Sequence, residues 1–280
     1  MEDEIKAAKE GVTLVGELIK AAGDNPQVKA AGSNLGQAAL TLSKTINTVL
    51  LPLAALNFAV DKAREYFSDK FPQEITERAS TIPPESLVEP KASIAGPVLQ
   101  GLAFTHEELD LKAMYLGLMT TAMDQRVADY AHPAYVEIIK QLDSREARYL
   151  KDIFGVKISA FPVAEIRRIV AGSQGWTIIY RHLMGITESS TNLPVEEPRF
   201  PASVDNWIRL GLIEVEYGTY LMGDEKYSWV ESRPEYVRLN ATHKTDQVTL
   251  SYQRGILRTT EFGANFAVAV GLRSADEKVM

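Results

Sequence analysis

Ile94 to Phe154, IAGPVLQGLAFTHEELDLKAMYLGLMTTAMDQRVADYAHPAYVEIIKQLDSREARYLKDIF, decides the fold, because it sets out three helices with their own start and stop signals. Thr105 is placed to cap the first, with Glu108 three residues on to close a capping box and Glu107 adding negative charge at the positive end of the dipole. Leu109, Leu111, Met114, Tyr115, Leu118, Met119 and Ala122 then recur at spacings of three and four, which describes one buried face. Pro133 sits where a first helical turn tolerates a missing N–H, so Tyr135, Val136, Ile138, Ile139 and Leu142 belong to a second, shorter helix. Asp143 with Glu146 opens a third, which buries Ala147, Leu150 and Phe154 and stops at Gly155.

The order of these pieces carries a resemblance. An I-A-G-P start, a long helix, the step His132-Pro133-Ala134-Tyr135 and a Q-L-x-x-x-E-A helix from Gln141 to Ala147 resemble the abortive infection alpha (Abi-alpha) family of bacterial proteins. The resemblance implies a role in anti-phage defence, in systems that often kill or arrest the infected cell by membrane damage. It also makes His132, Pro133 and Tyr135 the signature corner of the chain. A His before Pro is held extended and could present its ring to a cleft, with Asp129, Glu137 or Tyr135 to polarise it. The favoured reading is structural, an imidazole that bonds loop carbonyls and fixes the junction. His106, in the expected first helical turn, reads as a surface residue.

Composition sets the outer limits. A chain of 280 residues, 45% of them apolar, has room for two small domains or one large one. With no cysteine, disulfides, thiolate catalysis and Cys-type zinc sites are excluded. The start, MEDEIKAAKE, lacks the basic end and apolar core of a signal peptide, so the expected location is the cytoplasm, with a peripheral association at the inner membrane as a variant. Residues 1–139 carry 12 Lys plus Arg against 19 Asp plus Glu, and residues 140–280 carry 18 of each. That balance argues against nucleic acid as the main partner, since duplexes are bound chiefly through neutralised phosphates.

Between Ala30 and Val60 the only charge is Lys44. The more apolar half contains Ile46, Leu50, Leu51, Pro52, Leu56 and Phe58, interrupted by Asn47 and Asn57. A spanning helix needs ~20 predominantly apolar residues, so this run reads first as a buried helical hairpin bent at Pro52. In the second reading the hairpin is released on a trigger and enters the inner membrane. Residues 1–22 form a separate amphipathic helix whose acidic start suits packing or self-association better than a membrane surface. A helix started by Pro72 and the proline-marked stretch from Ile82 to Pro90 close this region.

Beyond Phe154 a strand is expected at Val156 to Ile158, a short helix with Arg167 and Arg168 from Pro162 to Val170, and an apolar run from Trp176 to Tyr180. The Ser-, Thr- and Pro-rich stretch from Thr187 to Pro198 reads as a tether or flexible edge. A helix from Pro201 to Leu210, closed by Gly211, leads into Leu212 to Tyr217. Strand signals follow at Thr219 to Met222, Tyr227 to Val230 and Val248 to Tyr252, and Thr260-Glu261-Phe262-Gly263 opens a last helix. This order resembles a winged-helix module and the C-terminal pattern of the same family. Winged helices often read DNA, yet Arg254 and Arg258 are the only credible phosphate contacts here, so contact with protein is the favoured reading.

No Gly-rich phosphate loop, H-E-x-x-H or G-x-S-x-G is present, and the four histidines lack metal-ligand spacing. The expectation is therefore a non-enzymatic protein without catalytic residues, cofactor or metal. The fold expected is α+β and mainly α, with an N-terminal helical hairpin region (1–90), a central helical bundle (91–186) and a small winged-helix-like C-terminal module (195–272). The leading function is an abortive-infection effector or accessory acting by regulated interaction with a protein partner, itself or the membrane. A sensor or adaptor binding a phage protein or small signalling ligand comes second, and a DNA-binding regulator third.

Overall fold

The computed structural model describes residues 57–158, 160–188 and 190–275. Ile46, Leu50, Leu51, Pro52 and Leu56 lie outside the described residues, as do the helix expected over residues 1–22 and the Phe58 side chain. Among the described residues there are nine α-helices and one four-stranded antiparallel sheet, so the fold is α+β and mainly helical. They form two compact units. One takes in the described residues up to Gly155 together with those from Asn265 onward, and the other runs from Val156 to Ala264.

The first unit is helical. Helix α1 (Asn57–Glu65) passes through a π turn at Tyr66–Lys70 into α2 (Phe71–Ala79). Next come α3 (Ala92–Thr105), α4 (Leu109–Met123), α5 (Pro133–Ile139) and α6 (Ser144–Gly155). Of the faces read from sequence, Leu111, Met114, Tyr115, Leu118, Met119 and Ala122 of α4 are buried, as are Val136, Ile139, Leu150 and Phe154, but Leu109 is 71% exposed, and Leu116 and Met123, off the face read from spacing, are buried as well. Phe266, carried back by the last helix, sets its ring 5.5 Å from Tyr135 and 6.4 Å from Phe154. The capping box at α6 forms: the Asp143 N–H donates to Glu146 Oε2 and the Glu146 N–H to Asp143 Oδ1, each at 2.8 Å.

The box expected at Thr105 does not form. Helix α3 runs on through Thr105, whose hydroxyl donates to the Gly101 carbonyl, and α4 starts at Leu109 after an uncapped Glu108. Helix α3 is not among the helices read from sequence, and Pro97 stands inside it. Burial of Ile94, Ala95, Val98, Leu99 and Leu102 outweighs the one lost backbone bond. His106 is also not a plain surface residue: its ring stacks on Tyr66 at 4.9 Å.

The second unit is built on the sheet, in the order β2-β1-β4-β3, from β1 (Ala160–Val170), β2 (Trp176–Leu183), β3 (Ile213–Glu216) and β4 (Val248–Thr259). Helix α7 (Phe200–Arg209) precedes β3, α8 (Pro234–His243) precedes β4, and α9 (Glu261–Ala269) leaves this unit for the first. Residues Pro162 to Val170 are strand, not the expected helix. Their Val163, Ile166, Ile169 and Val170 favour the pleated form, and β4 pairs with them continuously from Ala160↔Arg258 to Val170↔Val248. Pro162 lies outside the stretch paired to β2, so its missing N–H costs no bond on that side. Val156 to Ile158 is not a strand, and its two apolar side chains are exposed. Thr219 to Met222 is irregular and ends in a bend, and Tyr227 to Val230 is a turn entering a 3₁₀ segment; neither is a strand. Tyr227 instead buries its ring and donates its hydroxyl to the Gly255 carbonyl at 2.7 Å. Since β4 sits between β1 and β3, the strands of the 195–272 stretch share one sheet with β1 and β2.

Candidate functional site

The most constrained polar constellation lies in the second unit, where β2 ends, β3 ends and α7 passes. His182 is almost fully buried and has a left-handed backbone, φ +55°, a strain that non-glycine residues rarely carry outside functional or tightly determined positions. Its N–H donates to the Tyr217 hydroxyl at 2.9 Å, and its Nδ1 lies 3.0 Å from the same oxygen. Its Nε2 lies 3.1 Å from Asp205 Oδ1 on α7. The hydrogen-bond inventory fixes the protons: Nε2–H donates to the carboxylate, and the tyrosine, having accepted the backbone N–H, donates its own proton to Nδ1. Burial lowers the His182 pKa against the opposing pull of Asp205, in keeping with a neutral ring.

This trio joins opposite edges of the sheet. In a flat four-stranded sheet the outer strands would be about 14 Å apart, beyond the reach of one tyrosine, so the sheet is curled and Tyr217 crosses the gap. Gly255 makes room for it, since a Cβ there would lie 2.6 Å from Tyr217 Cδ1 and 2.7 Å from the Glu216 carbonyl oxygen. Burial pushes the Tyr217 pKa up to about 12, so the phenol is un-ionised at neutral pH. With both roles of its hydroxyl in use, this tyrosine is a clasp and is poorly disposed to act as a nucleophile.

A chain of polar contacts continues from the clasp. Gln253 Nε2 donates to the Tyr217 carbonyl at 3.0 Å and its Oε1 accepts from Arg167 at 3.0 Å. Arg167 pairs with the buried carboxylate of Glu165 at 2.7 Å, and its guanidinium lies 4.3 Å from the centre of the Trp176 ring. A second buried ion pair, Arg233 with Glu235 at 2.8 Å, also donates to the carbonyls of Ile186 and Val195. Val195 lies in the stretch from Thr187 to Pro198 read as a tether, and Ile186 stands just before it. It is a held loop, with Glu188 N–H bonded to the Leu193 carbonyl and Val195 N–H to that of Ile186.

The residues chosen from sequence fall in separate places. Exposed His132 is the N-cap of α5, where Nδ1 accepts the Ala134 N–H at 3.1 Å; Pro133 opens the helix, and Tyr135 is buried with its ring 5.9 Å from the imidazole. His132→Ala should cost about 1 kcal/mol in a urea titration, while His132→Asn, which can still cap, should lose only a fraction of that. Equal losses in the two variants would remove capping as the role of the ring. Arg254 pairs with Asp224 at 2.8 Å beside the Tyr227 ring, and Arg258 pairs with Glu214 and Glu216, both at 3.0 Å. In the first unit an open cleft of about 380 Å³ lies over Ala113 and Leu116, and its rim pairs Lys112 with Glu74.

Spacing could not have found the clasp. His182, Asp205 and Tyr217 lie on three elements, separated by 23 and 35 residues from the histidine, and no local motif joins them. Among the described residues no cluster of His, Asp and Glu is placed to hold a metal, and no helix is long and apolar enough to cross a membrane.

The family model described as abortive infection alpha matches residues 63–270. No curated protein and no solved structure matches the chain.

Proposed function

The chain belongs to the abortive infection alpha family, and from that premise we propose that it is a bacterial anti-phage protein, effector or accessory, acting by regulated contact rather than catalysis. The observation that carries this reading is the extent of the match, which runs from Ala63 to Val270 and takes in residues of both compact units. The contact partner is a protein or a second copy of the chain, and the winged-helix-like stretch 195–272 serves as part of the contact surface.

Charge placement supports contact over duplex reading. Affinity for a duplex comes mostly from cations that displace counterions from phosphates. Arg254 and Arg258, the two cations singled out for that task, are already matched to three carboxylates. Binding of the full chain to mixed-sequence duplex DNA at roughly physiological salt should therefore be weak, salt-sensitive and sequence-indifferent. Submicromolar, sequence-selective binding would replace this reading with that of a DNA-binding regulator.

The single charge between Ala30 and Val60 favours a second reading, in which that run enters the inner membrane once the protein is activated. Cross-linking in cells before and after phage infection tests contact directly. The expected result is an infection-dependent adduct of the chain with itself or a second protein. A chain that protects cells while giving no adduct in either state would contradict the contact reading.

A further inference from the structure

We propose that the His182–Tyr217 clasp is a protonation-sensitive latch, closed while the imidazole is neutral and opened when His182 takes up a proton. The proposal rests on the contact reading above for its use in the cell, but its chemistry follows from hydrogen-bond bookkeeping at one oxygen atom.

In the closed state the Tyr217 hydroxyl accepts the His182 N–H and donates to Nδ1, while Nε2–H donates to Asp205. Protonation at Nδ1 removes the acceptor for the phenolic proton. One oxygen then faces two donors, the backbone N–H and Nδ1–H, and must swing its own proton out from between them. Nothing comparable happens on the other side of the ring, where Nε2–H keeps Asp205 and the added positive charge strengthens that bond. The imidazolium therefore stays with α7, and Tyr217 is the partner that lets go.

The charged and titratable groups around the ring come from each element near it: Glu165 from β1, Arg181 from β2, Asp205 from α7 and Tyr217 from the end of β3. Glu165 and Asp205 favour the charged ring, while Arg181 and burial disfavour it. Because the folded-state pKa of His182 is depressed, the stabilisation is present above the unfolded value and is lost as the pH falls through the mildly acidic range. Opening takes the Tyr217 side chain off β2 and uncovers the end of β3, an edge strand still paired to β4 whose outer ladder has no neighbour in the sheet. A freed edge is suited to pairing with another chain, which is the regulated contact of the functional reading.

The test is amide hydrogen exchange of the full chain at about pH 7.5 and about pH 5.5, corrected for intrinsic rates, and followed at His182 itself, whose amide bonds to the latch oxygen. Protection of that amide should fall by about tenfold or more on acidification in the unmodified chain. Tyr217→Phe, which lacks the hydroxyl, should have an unprotected amide at both pH values. His182→Asn is the second variant: asparagine tolerates the left-handed backbone and keeps an acceptor near Nδ1 but cannot titrate, so protection should be high and independent of pH. Unchanged protection of the His182 amide in the unmodified chain across the two pH values would overturn the proposal. So would a pH response retained in His182→Asn. If the exchange results hold and His182→Asn still protects cells from phage like the unmodified chain, the latch stands and its link to the contact reading fails.

Discussion

Gly263→Ala should destabilise the second unit by about 3 kcal/mol, the upper part of the range for overpacking a close contact. A Cβ at 263 would lie 2.0 Å from the Leu212 carbonyl oxygen and 2.8 Å from its carbon, and backbone cannot rotate out of the way as a side chain could. The contact is tight because Thr260 draws the two segments together. Its hydroxyl accepts the Gly263 N–H at 2.8 Å and donates to the Gly211 carbonyl at 2.6 Å, while Gly211 turns the chain at φ +73°. The L-G-L-I and T-x-F-G motifs are thus two halves of one lock between the end of α7 and the start of α9. Gly155→Ala, with nothing within 4 Å of the added methyl at the end of α6, is the control and should leave the urea midpoint unchanged or raise it slightly. Equal midpoints for both variants would contradict the lock.

Arg233→Met should be at least as damaging, with a loss of about 3–5 kcal/mol, because it leaves the Glu235 carboxylate buried without its partner. The same change takes the guanidinium from the Val195 carbonyl and leaves the Ile186 carbonyl with only the Val195 N–H, so the loop from 186 to 195 should loosen. Limited proteolysis should then cut within that loop in the variant under conditions where the unmodified chain resists. Arg233→Met with Glu235→Leu removes both charges and should recover part of the stability, though not the resistance to cleavage, since the guanidinium that tied the two carbonyls together is still missing. A double variant no more stable than Arg233→Met would show that the unpaired carboxylate is not the main cost.

Local signals were legible where local chemistry decides the structure. The cap of α6 by Asp143 and Glu146, the proline start of α5 and the glycine stop after α7 each depend on residues within a few positions of one another, and each forms. The family resemblance was legible for a related reason, since its motifs are short runs such as His132-Pro133-Ala134-Tyr135 and Thr260-Glu261-Phe262-Gly263, whatever distant segment they meet. The reading failed where a partner distant in the chain decides. Residues 162–170 have a spacing compatible with a helix, but β4, more than 75 residues further on, pairs with all nine of them. Helix α3, with Pro97 inside it, is not among the helices read from sequence, and it is held by burial of its apolar side chains in the helical unit. The clasp was beyond reach for the same reason: a lone histidine has no special standing until the fold sets Tyr217 and Asp205 on either side of it.

Arg254 and Arg258 illustrate how a site residue changes meaning once its neighbours are known. On a strand they share a face and suggest phosphate; with Asp224, Glu214 and Glu216 in place they hold β4 to the turn at 224 and to β3. A paired surface guanidinium contributes little to stability, so their replacement by glutamine should change the urea midpoint by no more than about 1 kcal/mol per residue.

The measurement that tests the central claim most directly is phage challenge of bacteria with and without the gene, at low and at high ratios of phage to cells, scored both as culture survival and as survival of infected cells. The expected result is that the gene protects the culture at the low ratio, while infected cells at the high ratio die or arrest without releasing a normal burst. Identical phage bursts and culture survival with and without the folded protein, across phages able to infect the host, would contradict it.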